Sequence, residues 1–301
     1  MENDDAVRVR GLVKRYPDKV AVDGVDLDIH RGEVFALLGP NGAGKTTTTE
    51  ILEGYRRADE GEVSVLGTDP AHGDRYWRAR LGIVAQTTRD EAVLSVAEMI
   101  THFAGYYPNP RDPSDVIAAV GLEEKRKTRV RNLSGGQRRR LDVALGVIGN
   151  PELLFLDEPT TGFDPEARRQ FWTLIKDLRT EGTTILLTTH YLDEAAQLSD
   201  RAGVIAGGRL IEIGAIGEIG GADARVPVVR WRDASGTLRS ERSERPAATV
   251  AAIALQQGGE PRELEVIRPS LEDVYLELVR AHDSAAASAT TVDADQTEVL
   301  S

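Results

Sequence analysis

Eight consecutive residues, Gly39-Pro40-Asn41-Gly42-Ala43-Gly44-Lys45-Thr46, follow the apolar run Val34 to Leu38. They precede a stretch from Thr46 through Ile51 and Leu52 that suits a helix stopped by Gly54. Strand, glycine-rich turn and helix, in that order, form a cradle for phosphate. Glycine lets the backbone curl around an anion, whose charge meets the unpaired N–H groups of a helix N-terminus. Gly39, Asn41, Gly42, Ala43, Gly44 and Thr47 are therefore expected to line the cradle. Lys45 reaches the β- and γ-phosphates, and the Thr46 hydroxyl is placed to ligate Mg²⁺. The pattern predicts that the chain binds a nucleotide.

Two further constellations narrow the chemistry. Leu153-Leu154-Phe155-Leu156-Asp157-Glu158 sets two carboxylates at the end of a buried strand, where doubly wound sheets bind their ligands. Asp157 suits the Mg²⁺ shell, and Glu158 suits the orientation or deprotonation of an attacking water. A solvated acidic turn would read the same in isolation. Leu133-Ser134-Gly135-Gly136-Gln137 leads into the basic stretch Arg138-Arg139-Arg140. Ser-Gly-Gly before a helix is either a second anion-binding cap or an ordinary N-cap.

Taken together, these motifs resemble the ATP-binding cassette family, the nucleotide-hydrolysing subunits of ABC transporters. The Leu-Ser-Gly-Gly-Gln segment is that family's signature, and it stands in the expected order between the phosphate loop and the carboxylate strand. The resemblance implies roles for further residues. Gln86 matches the glutamine that works near Mg²⁺ and couples to a membrane partner. His190, after Thr188-Thr189, matches the switch histidine at the γ-phosphate. Thr161-Gly162-Phe163-Asp164 matches the D-loop, and Tyr16 stands where the family stacks an aromatic ring on adenine. Catalysis would fall to Glu158, His190, Lys45 and Gln86, with Mg²⁺ held by Thr46, Gln86 and Asp157. Departures from the family pattern are small: Phe163 for leucine, Ala85 for proline, and Thr47-Thr48-Thr49 where apolar residues are frequent.

The resemblance also implies a head-to-tail pair of chains. The signature Ser134, Gly135, Gly136 and Gln137 of one copy would close over ATP held by the other, with Ser134 and Gly136 acting on its γ-phosphate, and Asp164 of the D-loop is counted among the nucleotide-binding residues. The segment Pro269-Ser270-Leu271-Glu272-Asp273-Val274-Tyr275 resembles the ending of bacterial ABC-2-type, daunorubicin-resistance-like exporters. It favours efflux of a drug, lipid or polysaccharide through a separately encoded polytopic permease. The permease is expected to dock on the helical insert after Gln86, near residues 105 to 113. The alternatives are an importer energiser and a non-transport ATPase acting on ribosomes or DNA.

Composition bounds these readings. The 301 residues carry a net charge of −12, which argues against a duplex-binding surface, so no nucleic-acid partner is expected. Lys125-Arg126-Lys127 and Arg138-Arg139-Arg140 read as solvated helical faces against that acidic background. With no cysteine, disulfides and thiolate chemistry are excluded. The acidic start Met1-Glu2-Asn3-Asp4-Asp5 is unlike a signal peptide, and no apolar run approaches the length of a spanning helix. The expected location is the cytoplasmic face of the plasma membrane, reached through the membrane partner.

The elements that must position these groups follow from periodicity. Val25, Leu27 and Ile29 alternate with polar residues, so residues 7 to 30 read as paired strands, and Gly61 to Gly67 as a second hairpin-like stretch. Helical spacing takes over in the region of about 88–150, with Val96, Met99, Ile100 and Phe103 as a buried stripe. Leu153–Leu156 and Thr184–Thr188 are continuous apolar runs typical of parallel strands covered on both faces, with a helix from about 166 to 179 between them. The expected fold is α/β: a P-loop NTPase cassette over residues 1–220, with a parallel-sheet core, an antiparallel β subdomain and a helical subdomain. A small α/β accessory domain is expected over 221–282. The Ala, Ser, Thr and Asp-rich tail 283–301 is expected to be disordered.

Overall fold

Alternate residues of the central strands enter opposite apolar layers, and this alternation sets the architecture. The structure is a computed structural model that describes residues 5–85, 93–282 and 284. Contacts divide the chain into two compact units, one ending at Ile216 and the other beginning at Gly217.

In the first unit, β1 (Asp5–Tyr16) and β2 (Lys19–His30) form a long antiparallel pair, and β4 (Glu60–Val65) adds to the free edge of β1. The stretch after Gly61 therefore completes a three-stranded sheet with β1 rather than forming a hairpin of its own. The central sheet runs β5 (Leu81–Val84), β6 (Leu153–Asp157), β7 (Thr184–Thr188), β3 (Val34–Leu38), β8 (Arg201–Ala206) and β9 (Arg209–Ala215). Its first five strands are parallel and β9 is antiparallel. Leu154, Leu156, Ile185 and Leu187 enter one core with the helical segments. Leu153, Phe155 and Leu186 enter a second core with Val9, Leu27 and Ile29 of the antiparallel sheet. Period-two alternation with both faces apolar is what a parallel sheet covered on two sides requires.

The helices of this unit are α1 (Lys45–Leu52), α2 (Arg75–Arg78), α3 (Val96–Ala104), α4 (Pro113–Ala119), α5 (Gly135–Val147), α6 (Pro165–Thr180) and α7 (Leu192–Leu198). Local chemistry explains their starts. Ser95 and Glu98 form a capping box on α3, Asp112 caps α4 ahead of Pro113, and Asp164 caps α6 ahead of Pro165. The anticipated stripe on α3 is present: Val96, Met99 and Ile100 are buried and Phe103 packs beside them. Helix α5 lies directly on β5 because two glycines meet there. A Cβ on Gly82 would stand 2.2 Å from the Gly146 carbonyl oxygen.

The second unit holds α8 (Gly221–Ala224), β10 (Val228–Arg232), β11 (Leu238–Arg242), α9 (Pro246–Gln257), β12 (Arg262–Ile267) and α10, a helix over residues 271–282. Its antiparallel sheet has the order β11-β10-β12. Val229, Ile253, Leu271 and Val274 are buried. Ser270 caps α10 through Asp273, whose carboxylate accepts from the Ser270 N–H at 2.8 Å.

Candidate nucleotide site

Strand order brings the chemistry together. β6, β7 and β3 are neighbours in the central sheet and run parallel, so the segments that follow them emerge at one edge. These segments carry Glu158, His190 and the glycine-rich loop.

The loop is shaped by contacts that only glycine permits. Gly44 sits at φ 113° as the N-cap of α1, and a Cβ there would lie 2.5 Å from the Ala21 carbonyl oxygen. A Cβ on Gly39 would lie 2.3 Å from the Ile205 carbonyl oxygen. Lys45 turns its ammonium back to the loop, donating to the carbonyls of Gly39 at 2.6 Å and Pro40 at 3.1 Å. Burial lowers its pKa, while the charges of Glu158 and Asp157 pull the other way. Lys19, which sequence reasoning did not single out, donates to Gly42 O at 2.6 Å. Asn41 and Thr46 are exposed at the loop, Ala43 is buried beneath it and Thr47 is half-buried. Buried Thr48 and Thr49, the departures from an apolar pattern, are satisfied by backbone: Thr48 Oγ1 donates to Gly44 O and Thr49 Oγ1 to Lys45 O.

The carboxylate turn is built as tightly. Asp157 and Thr188 are register partners across β6 and β7, and the Thr188 hydroxyl donates to Asp157 Oδ1. Glu158 has φ 48°, in the left-handed region, at a cost of about 1–3 kcal/mol for a side chain that branches no earlier than Cγ. Its N–H donates to Thr188 O at 2.9 Å, which helps hold it there. His190 Nδ1 lies 3.2 Å from Glu158 Oε1. Glu194, in α7, is buried; burial raises its pKa, and the hydroxyls of Thr189 and Thr160, the Trp172 indole and the Arg168 charge act in the opposite direction.

The signature forms the start of α5. Ser134 Oγ accepts from Gln137 N at 3.3 Å, and Gln137 Oε1 accepts from Ser134 N at 3.1 Å, a capping box on α5. Gly135 has open space where a Cβ would be, whereas Gly136 approaches the Gly162 carbonyl. No hydrogen bond among the described residues joins the Ser134 or Gln137 side chain to the phosphate loop. Asp164 is engaged as the α6 cap, accepting from Ala167 N at 2.8 Å, and those backbone donors hold its carboxyl low. Tyr16, at the end of β1, is 37% exposed, with the Arg56 guanidinium 5.8 Å and Lys14 Nζ 6.0 Å from its ring centre. Gln86 lies outside the described residues.

One expectation is overturned. The basic run 138–140 does not form a solvated face: Arg139 is 6% exposed and points inward, with Leu141, Val143 and Ala144 among its buried neighbours in α5. Its spacing to Val143 and Gly146, i, i+4 and i+7, is the available sequence signal.

A model of the family "ABC transporter" matches residues 22–161. The chain is 37% identical to the daunorubicin resistance ATP-binding protein DrrA3 of Streptomyces coeruleorubidus, over 91% of this chain and 96% of that one. The chain belongs to the ABC transporter ATP-binding family. It is also 38% identical to the Nod factor export ATP-binding protein I of Cupriavidus pinatubonensis, with 90% of each chain covered. Among solved structures, an ATP-binding subunit of an ABC transporter superposes with a TM-score of 0.69 at 22% identity, covering 91% of this chain and 99% of that one. A dimeric cassette in a post-hydrolysis state bound to ADP and Pi gives 0.63 at 23% identity, covering 69% and 98%. Both are likenesses of fold, and they agree with the P-loop cassette expected from the sequence. The assignment as an ATP-binding, ATP-hydrolysing cassette rests on the family match and the curated relatives.

The cassette also carries an open cavity of ≈590 Å³ lined by Glu53, Tyr55, Phe103, Tyr107, Asp142 and Leu145, among others. Burial, then the charges of Asp157 and Glu50, push the Glu53 carboxyl from its ordinary 4.5 to about 8. An acid whose pKa is higher folded than unfolded holds its proton more tightly when folded. That stabilisation is complete below about pH 4.5 and is lost as pH rises through about 8. Glu53→Gln is therefore expected to gain in melting temperature on the wild type between pH 5 and pH 9. Parallel pH profiles of the two proteins would contradict the shift.

Proposed function

We propose that this cassette is the ATP-hydrolysing motor of an exporter, working as a head-to-tail pair beneath a separately encoded membrane permease. The observation that carries the catalytic part is the Glu158–His190 contact at the strand edge that also bears the phosphate loop. Glu158 is the base that takes a proton from the attacking water, and His190 orients it and meets the γ-phosphate. Lys45 exchanges the carbonyls of Gly39 and Pro40 for phosphate oxygens, and the backbone N–H groups of Gly39 and of Asn41 to Thr47 bind the rest. Tyr16 packs on the adenine.

Hard oxygen donors suit Mg²⁺, and this site offers two: the exposed Thr46 hydroxyl and the Asp157 carboxylate, oriented by Thr188. Those residues would hold the ion, with Gln86 as a further ligand, and the ion would neutralise charge on the β- and γ-phosphates. Ser134, Gly135, Gly136, Gln137 and Asp164 act on the nucleotide of the second copy. The open space at Gly135 supports that reading, as does the lack, among the described residues, of a hydrogen bond from the Ser134 or Gln137 side chain to the chain's own loop. ATP binding energy joins the halves and hydrolysis releases them.

Export rather than import follows the relatives named for drug resistance and Nod factor export. No helix among the described residues is long and apolar enough to cross a membrane. Attachment to the cytoplasmic face runs through the permease, seated on the helical segment about residues 105–113 and the adjoining cavity. We further propose the division into a cassette to about residue 220 and an accessory domain over 221–282. Tagged Glu158→Gln, captured from native membranes with ATP and Mg²⁺, is expected to bring down a polytopic membrane protein in stoichiometric amount. Recovery of ribosomal or DNA-associated proteins in its place would overturn the transport reading.

A further inference from the structure

Among the described residues of the cassette, Arg139 is a buried cation bonded to four carbonyls, and none of the roles above uses it. Its guanidinium has five N–H donors in a fixed fork. Here the fork is spent on main-chain carbonyls of two separate strand ends. Nη1 donates to Ala85 O, immediately after β5 and one residue before Gln86. Nη2 donates to Asp157 O and, at 3.1 Å, to Glu158 O, while Nε donates to Pro159 O at 3.2 Å. The side chain comes from α5, about one helical turn beyond the Ser134 cap. One side chain therefore joins the signature helix, the exit of β5 and the turn that carries both carboxylates.

This placement matters because Glu158 is held in a left-handed conformation that a free chain would leave. Arg139 takes the carbonyls of Asp157, Glu158 and Pro159 together, so the peptide planes on both sides of Glu158 are fixed by one rigid group. A lysine in its place has a single point of charge and cannot span the three.

We propose that Arg139 is a positioning residue for hydrolysis: it holds the turn at Glu158 in its reactive geometry and makes that turn move with the signature helix and with the segment leading to Gln86. The inference rests on Glu158 being the base. It makes Arg139 a determinant of the chemical step and leaves ATP capture to the phosphate loop, which Arg139 does not touch.

The test is a double-mutant cycle on the purified full-length chain, with single-turnover hydrolysis and the ATP dissociation constant measured for each protein. Arg139→Lys is expected to slow the chemical step about 10-fold and Arg139→Met about 100-fold, with the dissociation constant changed by less than about twofold. In the Glu158→Gln background the same substitutions are expected to add almost nothing, because the group they position is gone. Equal factors in both backgrounds, or a loss of ATP affinity in step with rate, would overturn the proposal. Should Arg139→Met fail to fold with its carbonyls stranded, Arg139→Lys carries the cycle alone. Wild-type rates in Glu158→Gln itself would instead overturn the assignment of the base, so the two failures are told apart.

Discussion

Replacing Glu158 by Gln is expected to leave ATP bound while slowing its hydrolysis about 10²–10⁴-fold, the range for loss of a general base. The amide keeps the shape of the carboxylate and the backbone bonds from Glu158 N to Thr188 O and from Arg139 to Glu158 O. What is lost is the capacity to take a proton from water. With hydrolysis stalled and ATP still in place, the variant is expected to elute as a stable dimer in ATP and as a monomer in ADP. Phosphate release and size-exclusion chromatography on one preparation check both halves. Unchanged turnover would remove Glu158 from the mechanism.

Gly44→Ala is expected to weaken ATP binding about 100-fold, and the structure gives two reasons. A side chain at φ 113° costs about 1–3 kcal/mol, which alone amounts to about 5–150-fold if it is expressed as binding. The added Cβ would also stand 2.5 Å from the Ala21 carbonyl oxygen and 3.3 Å from Ile205 Cδ1, so the start of α1 must shift. Gly42→Ala is the internal comparison. Its φ of 77° is similarly disfavoured, but the Cβ would meet only the flexible Lys19 ammonium at 3.6 Å. Titration with a fluorescent ATP analogue should therefore rank Gly44→Ala well below Gly42→Ala. Equal affinities would mean that the contact with β2 does not shape the loop.

The central strands and the phosphate loop could be read from the sequence because their signals are local. Leu153 to Leu156 and Thr184 to Thr188 are apolar without a break, and the glycines flank Lys45 at fixed spacing. What could not be read is set by distant backbone. The pairing of β4 with β1 joins segments about 50 residues apart, and nothing in Glu60 to Val65 names its partner. Arg139 was hidden by its neighbours: charge in the run 138–140 suggests water, whereas the carbonyls that receive Arg139 come from Ala85 and from residues 157–159. Glu194 was missed for a related reason. A charged residue in a helix with no apolar pattern at its own position gives no sign that the surrounding chain encloses it.

The alternation of β6 between two apolar layers carries a consequence for how this chain can vary over generations. Leu154 and Leu156 belong to one layer, Leu153 and Phe155 to the other, and Asp157 ends the same strand. Inserting or deleting a single codon inside β6 would exchange the layers for every residue beyond it and turn the Asp157 side chain away from Thr188. Length change in this strand is thus closed to descent by small steps, since one residue is ruinous and two displace the catalytic turn. The connector between α3 and α4, exposed over most of residues 105–112, has no such parity to keep. That connector can lengthen without turning any core residue to the wrong face, whereas β6 is held to its length by its two layers.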